Sequence, residues 1–296
     1  MAARSGDALR VATVADQVEV VRPRPLGRGK RLIAGAMVCL LGLALLAHIV
    51  TNPNLHWDTV GAYLFDRSVL DGVVMTLELT ILSMVVGIAL GILLAVMILS
   101  RFAVTSALAS FYIWLFRGTP LLVQLIFWFN IALLFPTIGI GPWEVSVNAV
   151  VTPLVAALLG LGLNEAAYMA EIIRAGIRSV DHGQTEAALS VGLKPTQAMR
   201  RVILPQAMTV IIPPTGNQAI GMLKNTSLVS VIAAQELLTK VQNIYARNFR
   251  VIDLLVVACC WYLAMTTVAT WLQSRLERRL GDPAMLARTA ALGAGL

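Results

Sequence analysis

Ile81-Leu-Ser-Met-Val-Val-Gly-Ile-Ala-Leu-Gly-Ile-Leu-Leu-Ala-Val-Met-Ile-Leu-Ser100 contains no Asp, Glu, Lys or Arg. About 20 apolar residues rising 1.5 Å each cross a hydrocarbon layer of roughly 30 Å, so the stretch reads as a membrane span. Leu32 to Val50, Val145 to Asn164, Val202 to Leu223 and Leu254 to Ser274 are equally free of charge. Phe102 to Phe135 is interrupted only by Arg117 and is long enough for a tilted or bent span. The sequence therefore predicts an all-α integral membrane protein with six transmembrane helices.

Composition agrees with that class. Of 296 residues, 58% are hydrophobic and 13% charged, with a mean hydropathy of +0.78, where soluble domains carry about 25% charged residues. This excludes an ordinary soluble enzyme. The net charge of +7 follows from topology, because Lys and Arg are retained on the cytoplasmic side of membrane proteins. With the amino terminus inside, the cytoplasmic stretches hold seventeen of the 23 Lys and Arg residues, and the outside loops hold only Arg67, Lys240, Arg247 and Arg250. Both termini are expected in the cytoplasm, the basic partner is the anionic lipid bilayer, and nothing suggests a nucleic-acid surface.

The first apolar run begins too late and runs too long for a secretory signal core, and no small-x-small cleavage site follows it, so it reads as a retained helix. Residues 1–31 form a polar tail crowded with Arg and Lys, expected to be disordered and cytoplasmic. Residues 32–71 supply an extra first helix and an outer loop, in which Trp57 and Tyr63 suit a short interfacial helix. Residues 72–280 hold the remaining spans, and 281–296 a cytoplasmic tail. Pro136 to Trp143, with two Pro and two Gly, is turn chemistry. Cys39, Cys259 and Cys260 lie in apolar spans without metal-ligand spacing, so disulfides and zinc are not expected.

The long cytoplasmic loop Ser179 to Pro205 parses as helix, glycine, helix. Gln184 or Thr185 can open the first helix, Gly192 sits where a left-handed residue would close it, and Pro195 suits the first turn of the next. Arg200 and Arg201 then fall in the last turn of that second helix, at the negative end of its dipole. A connection between spans needs only a few residues. The hairpin is therefore either an interfacial helix on lipid headgroups or a docking knob for another subunit.

Glu186-Ala187-Ala188, Gly192, Val202 and Leu204-Pro205, at these spacings, resemble the signature loop of permease subunits of binding-protein-dependent ABC importers, with Val202 where isoleucine is usual. Arg117-Gly-Thr-Pro-Leu-Leu-Val-Gln124 and Gly216-Asn-Gln-Ala-Ile-Gly-Met-Leu-Lys-Asn-Thr-Ser-Leu-Val-Ser-Val231 are similar to the polar amino acid branch, which includes histidine, glutamine, glutamate and arginine importers. The likeness runs from about Asp71 to Leu280. It implies a five-helix permease core in the cell membrane, a second permease subunit of the same or a different chain, an ABC ATPase dimer and an extracytoplasmic amino-acid-binding protein. No phosphate-binding Gly-x-x-x-x-Gly-Lys-Ser/Thr loop occurs. ATP and Mg would belong to the ATPase, with this chain binding no cofactor of its own. Glu186, Ala187, Ala188, Gly192, Leu204 and Pro205 are the residues that the resemblance assigns to ATPase coupling.

Charges within spans are expensive and should face the bundle interior or a wet cavity. Asn164, Tyr168 and Glu171 stand at i, i+4 and i+7, with Glu165 beside them, as a polar stripe suited to a translocation path. Pro213, Pro214, Gly216 and Gly221 are expected to break the fifth span, which places the path between the fourth and fifth spans. Asn217, Gln218, Lys224, Asn225, Thr226 and Ser227 would add hydrogen-bonding groups there. Glu171 lines the path or pairs with Arg174 or Arg178. Arg117 meets a substrate carboxylate or clamps carbonyls freed around Gly118 and Pro120. Glu236 and Asp253 are expected near the outer surface, solvated or touching the delivering protein. Gly87 and Gly91 would allow close contact with the second subunit.

Two other functions compete. An ion-coupled secondary transporter fits poorly with six spans, no duplicated half and a cytoplasmic docking hairpin. A membrane-embedded enzyme lacks an assembled base, since His48, His56 and His182 fall in three separate regions.

Overall fold

The computed structural model describes residues 28–140 and 143–280. The two predicted tails, apart from residues 28–31, lie outside the described residues. The chain divides into two compact units, one ending at Leu55 and the other beginning at His56. In the first, α1 spans Arg28–Val50, and its apolar part Gly35–Val50 is shorter than a full span.

The second unit opens with α2, Trp57–Leu64, the short helix expected in the outer loop. It is strapped to α12, Val251–Leu280, at both ends. The His56 amide donates to Asp253 Oδ1 at 2.9 Å, and Trp261 Nε1 donates to the Leu64 carbonyl at 2.7 Å. Asp253 is thus buried and bonded, not solvated as the sequence suggested, because the start of α2 packs on the first turn of α12 that carries it.

Helix α3, Arg67–Ile98, starts on an Asp66 cap whose carboxylate accepts from the Ser68 amide. Helix α4, Ala103–Gly118, and α5, Leu121–Phe129, form one apolar stretch bent by 102° at Thr119 and Pro120. Strands β1, Thr137–Ile138, and β2, Val145–Ser146, then pair antiparallel, a small exception to an otherwise helical chain. A short α6, Val147–Val150, leads into α7, Pro153–Arg178, which begins with Pro in its first turn and Thr152 capping the Val155 amide. The fourth span is thereby displaced from the uncharged run Val145 to Asn164. Its outer third is spent on the hairpin and cap, and the helix continues through Glu165, Glu171 and Arg174.

Three described helices are long and apolar enough to cross a membrane, Arg67–Ile98, Pro153–Arg178 and Val251–Arg279, and the bent pair makes a fourth. Helix α7 is the most enclosed of them and packs chiefly on α3. Lipid is as apolar as leucine, so helices in a bilayer associate through close packing and hydrogen bonds. Glycine supplies the close approach here. A Cβ at Gly87 would stand 2.6 Å from Glu165 Cγ, one at Gly91 2.6 Å from Met169 Cβ, and one at Gly160 2.6 Å from Leu125 Cδ2. Gly87 and Gly91 therefore seat α7 of the same chain, which corrects their expected use against a second subunit.

After α7 come α8, His182–Ser190, and α9, Pro195–Ala198. A π turn over Met199–Ile203 then runs into α10, Leu204–Asn225. Arg200 and Arg201 lie inside this continuous stretch, so no dipole end faces them as predicted. Pro205 has no N–H to offer the preceding turn and its ring crowds the Arg201 carbonyl, which accounts for the wider π turn. Helix α10 also stays helical through Pro213 and Pro214, contrary to the expected break. Gln273 of α12 braces that stretch, its Nε2 donating to the Pro213 carbonyl at 3.1 Å and Asn217 Oδ1 at 3.2 Å.

A 3-10 segment, Thr226–Ile232, leads to α11, Leu237–Asn248, capped by Glu236. The Glu236 carboxylate accepts from the Leu238 and Thr239 amides, Thr239 Oγ1 and Tyr262 Oη. It is fully buried, a second correction to the expected solvated outer carboxylate.

Candidate functional site: a cavity at a broken helix

The break between α4 and α5 leaves carbonyls without their usual partners, and buried backbone acceptors must find donors. Thr119 Oγ1 donates to the Leu115 carbonyl at 2.8 Å. Gln124 Nε2 reaches the Phe116 carbonyl at 2.9 Å, the Thr119 carbonyl at 3.1 Å and Thr119 Oγ1 at 2.7 Å. Asn164 Nδ2 adds a bond to the Phe116 carbonyl at 3.0 Å and one to Gln124 Oε1 at 3.2 Å. The carbonyl clamp is therefore Gln124 with Asn164, and Arg117 is left for another role. Sequence reasoning quoted Gln124 but gave it no task. Its signal was a long amide four residues past a proline in an uncharged run.

A cavity of about 550 Å³ opens at this break. Arg117, Gly118, Thr119, Pro120 and Leu121 line one side, Asn164, Glu165 and Tyr168 of α7 another, and Gln218, Gly221, Asn225 and Leu228 a third. The structure thus brings together Asn164, Glu165, Tyr168, Gln218 and Asn225 from the predicted path, with Arg117 at its rim. It leaves out four others. Asn217 bonds Gln273, Thr226 Oγ1 donates to the Leu223 carbonyl, Ser227 Oγ donates to the Lys224 carbonyl, and Lys224 is exposed.

Charge in the cavity is separated. Glu165 is only 4% exposed. Its Oε2 lies 3.5 Å from Gln218 Nε2, and its Oε1 has no hydrogen-bond partner among the described residues. The Arg117 guanidinium sits over the Tyr168 ring, 5.3 Å from its centroid, with Nη1 4.0 Å from Glu171 Oε1. Glu171 is bonded more closely by Arg174, so the structural ion pair anticipated for it is present. Arg117 therefore brings a positive charge, held by Tyr168 and more distantly by Glu171, to the same cavity as the buried Glu165 carboxyl.

The hairpin between α7 and α10 is closed by its own caps and turns. Asp181, not Gln184 or Thr185, caps α8 by accepting from the Gly183 amide at 2.7 Å, which starts the helix at His182. Gly192 has φ +85, and the Leu193 amide donates to the Ala188 carbonyl at 3.2 Å, the left-handed closure read from the sequence. Gln197 Oε1 accepts from the Lys194 amide at 2.9 Å. Ala188 is buried, while Ala187 is exposed and the Glu186 side chain is 72% exposed beside His182. Gln206 of α10 donates to Gln184 of α8, and Leu204 and Pro205 form the first turn of α10.

Residues 87–282 match the family described as binding-protein-dependent transport system inner membrane component. The chain belongs to this family. Among curated relatives, the arginine transport system permease protein ArgU of Corynebacterium glutamicum is 41% identical over 264 residues, covering 88% of this chain and 84% of that protein. The glutamate/aspartate import permease protein GltK of Escherichia coli O157:H7 is 36% identical, covering 71% of this chain and 92% of that protein. A crystal structure of an amino acid ABC transporter with histidines is 38% identical, with a TM-score of 0.64, covering 72% of this chain and 94% of that one. An inward-facing structure of the MetNI methionine ABC transporter, at 18% identity and a TM-score of 0.59, shares the fold, covering 73% of this chain and 97% of that one. The protein is a multi-pass permease subunit of the cell membrane.

Proposed function

We propose that this permease carries a polar amino acid inward through the cavity at the α4–α5 break, on ATP hydrolysed by a separate ABC ATPase dimer. An extracytoplasmic binding protein delivers the cargo, and a second permease, of the same or a different chain, completes the path. The uncharged apolar runs support six spans, and the Lys and Arg distribution supports both termini in the cytoplasm. The observation that carries the reading is one cavity lined by both a buried carboxyl, Glu165, and a guanidinium, Arg117, that rests over Tyr168 at the edge of ion-pair distance from Glu171. A zwitterion needs one anionic and one cationic contact, and these residues supply them. Glu165 accepts a cationic group of the cargo, Arg117 meets its carboxylate, and Asn164, Gln218 and Asn225 offer amide hydrogen bonds. Glu186 through Gly192, with Leu204 and Pro205, engage the ATPase. ATP and Mg reside on that subunit. The basic cargo named for the arginine relative matches the buried carboxyl.

Reconstitution in proteoliposomes with the cognate ATPase and binding protein tests this. ATP-dependent uptake of arginine or lysine is expected. Glu165→Gln should lower uptake roughly tenfold to a hundredfold, as loss of a hydrogen bond to a charged group does, while the ATPase still co-purifies. Unchanged uptake of every amino acid tested would return Glu165 to a structural role.

A further inference from the structure

One face of α3 carries hydroxyls at Thr76, Thr80 and Ser83, spaced i, i+4 and i+7, all buried. Two of them are satisfied by their own helix, Thr76 Oγ1 donating to the Gly72 carbonyl at 3.0 Å and Thr80 Oγ1 to the Thr76 carbonyl at 2.7 Å. Ser83, 0% exposed, makes no such bond, and its Oγ has no partner among the described residues. The other orphaned carboxyl oxygen of the same interface is Glu165 Oε1.

The helix register places the two residues about one turn apart on the facing sides of α3 and α7. A Cβ at Gly162 would lie 3.9 Å from the Ser83 carbonyl, one at Gly87 2.6 Å from Glu165 Cγ, and one at Gly91 2.6 Å from Met169 Cβ. Contacts that advance together along both sequences mean that α3 and α7 run parallel. Ser83 lies one turn before Gly87 on the same face, toward the start of both helices. Side chains on a helix lean toward its amino terminus. The Glu165 stem is seated against Gly87, one turn past Ser83, and that lean favours the Ser83 side of the interface for its unpaired oxygen.

Buried polar atoms left unpaired are costly, and interiors meet that cost with ordered water bonded to several such atoms at once. We infer that Ser83 Oγ and Glu165 Oε1 share a buried water at the back of the cavity, making Ser83 a positioning residue that holds the Glu165 carboxylate in the orientation the cargo meets. The effect on transport rests on the cargo reading of Glu165; the water site itself does not. Glu165 then faces two ways, Oε2 toward Gln218 and the cavity, Oε1 toward the water and α3. Ser83→Ala removes one of the water's anchors while adding no bulk, and leaves the cavity lining and the ATPase knob untouched.

The experiment uses the full transporter in nanodiscs, with a map fine enough for ordered water and an infrared spectrum in which the Glu165 carboxyl band is assigned by its loss in Glu165→Gln. Density within hydrogen-bonding distance of both atoms, and a shift of that band in Ser83→Ala, are expected. Uptake by Ser83→Ala should show a KM raised about three- to tenfold, as for one hydrogen bond, with kcat near wild type. Direct contact between Ser83 and Glu165 with no density between them, or a band that does not move, overturns the proposal. If the band moves while neither Ser83→Ala nor Glu165→Gln alters uptake, the water site stands and the cargo reading falls.

Discussion

Glu165 and Glu236 are both carboxyls removed from water, and their surroundings give them opposite work. Glu236 has four donors and spends them holding the start of α11 against α12. Glu165 has one long amide contact and an unpaired oxygen, an arrangement that leaves capacity for a ligand. Burial pushes the Glu236 carboxyl above its ordinary 4.5, outweighing the hydrogen bonds that favour its ionised form. A carboxyl whose pKa is raised by folding contributes stability that is present at low pH and lost as pH rises through the raised value. The melting temperature of the detergent-solubilised permease should accordingly fall as pH is taken upward from about 4.5. In Glu236→Gln that slope should flatten, with a loss of about 1 kcal/mol at acid pH, where the wild-type carboxyl is protonated, that shrinks as pH rises, because the amide caps α11 less well but does not titrate. A slope unchanged in the variant would assign the pH response to other groups.

Between elements, the α3–α7 contact depends on absent side chains. At Gly91 a Cβ would press on Met169 Cβ at 2.6 Å and on the Ala170 amide nitrogen at 3.1 Å, and backbone cannot step aside as a flexible side chain can. Gly91→Val should cost about 1–3 kcal/mol through overpacking, read as a lowered melting temperature. Gly35→Val, at a glycine with nothing within 4 Å, should leave it unchanged. Equal effects in the two variants would mean that the close approach carries no stability. The spacing of Gly87 and Gly91 was plain in the sequence, but the helix seated there was not. A small-residue stripe advertises a close contact without naming the partner, and register and chain direction assigned it to α7. Similarly, Pro213 and Pro214 looked like a break. Gln273 braces that stretch through the Pro213 carbonyl and Asn217, and at 56 residues from Asn217 it was near only after folding.

Across the whole molecule, α9 and the π turn run without interruption into α10, whose later turns line the cavity, and α8 joins them through the Gly192 turn. Under the proposed coupling role, a push on the hairpin would reach Gln218 and Asn225 along α10. Gly192 keeps open space around it yet holds φ +85, so a side chain there strains the backbone and meets no clash. Gly192→Asp should leave membrane insertion intact while abolishing substrate-stimulated ATP hydrolysis. Normal stimulation would sink the docking-knob reading. Much of this was legible in the chain alone. The apolar runs determined a helical membrane protein because length and hydrophobicity are local properties, and the loop from Glu186 to Pro205 carried its caps, its glycine and its signature in contiguous residues. Which polar residues share one cavity was decided only by tertiary structure. Asn217, Lys224, Thr226 and Ser227 are as polar as Gln218 and Asn225, and a sequence of helix positions does not say which face meets α7. The bend at Thr119 and Pro120 turned Arg117 toward Glu171 and handed the carbonyl clamp to Gln124 and Asn164. Such assignments depend on where the other helices stop, and hydrogen-bond partners 48 residues apart, like Asn164 and Phe116, exist only once the bundle has closed.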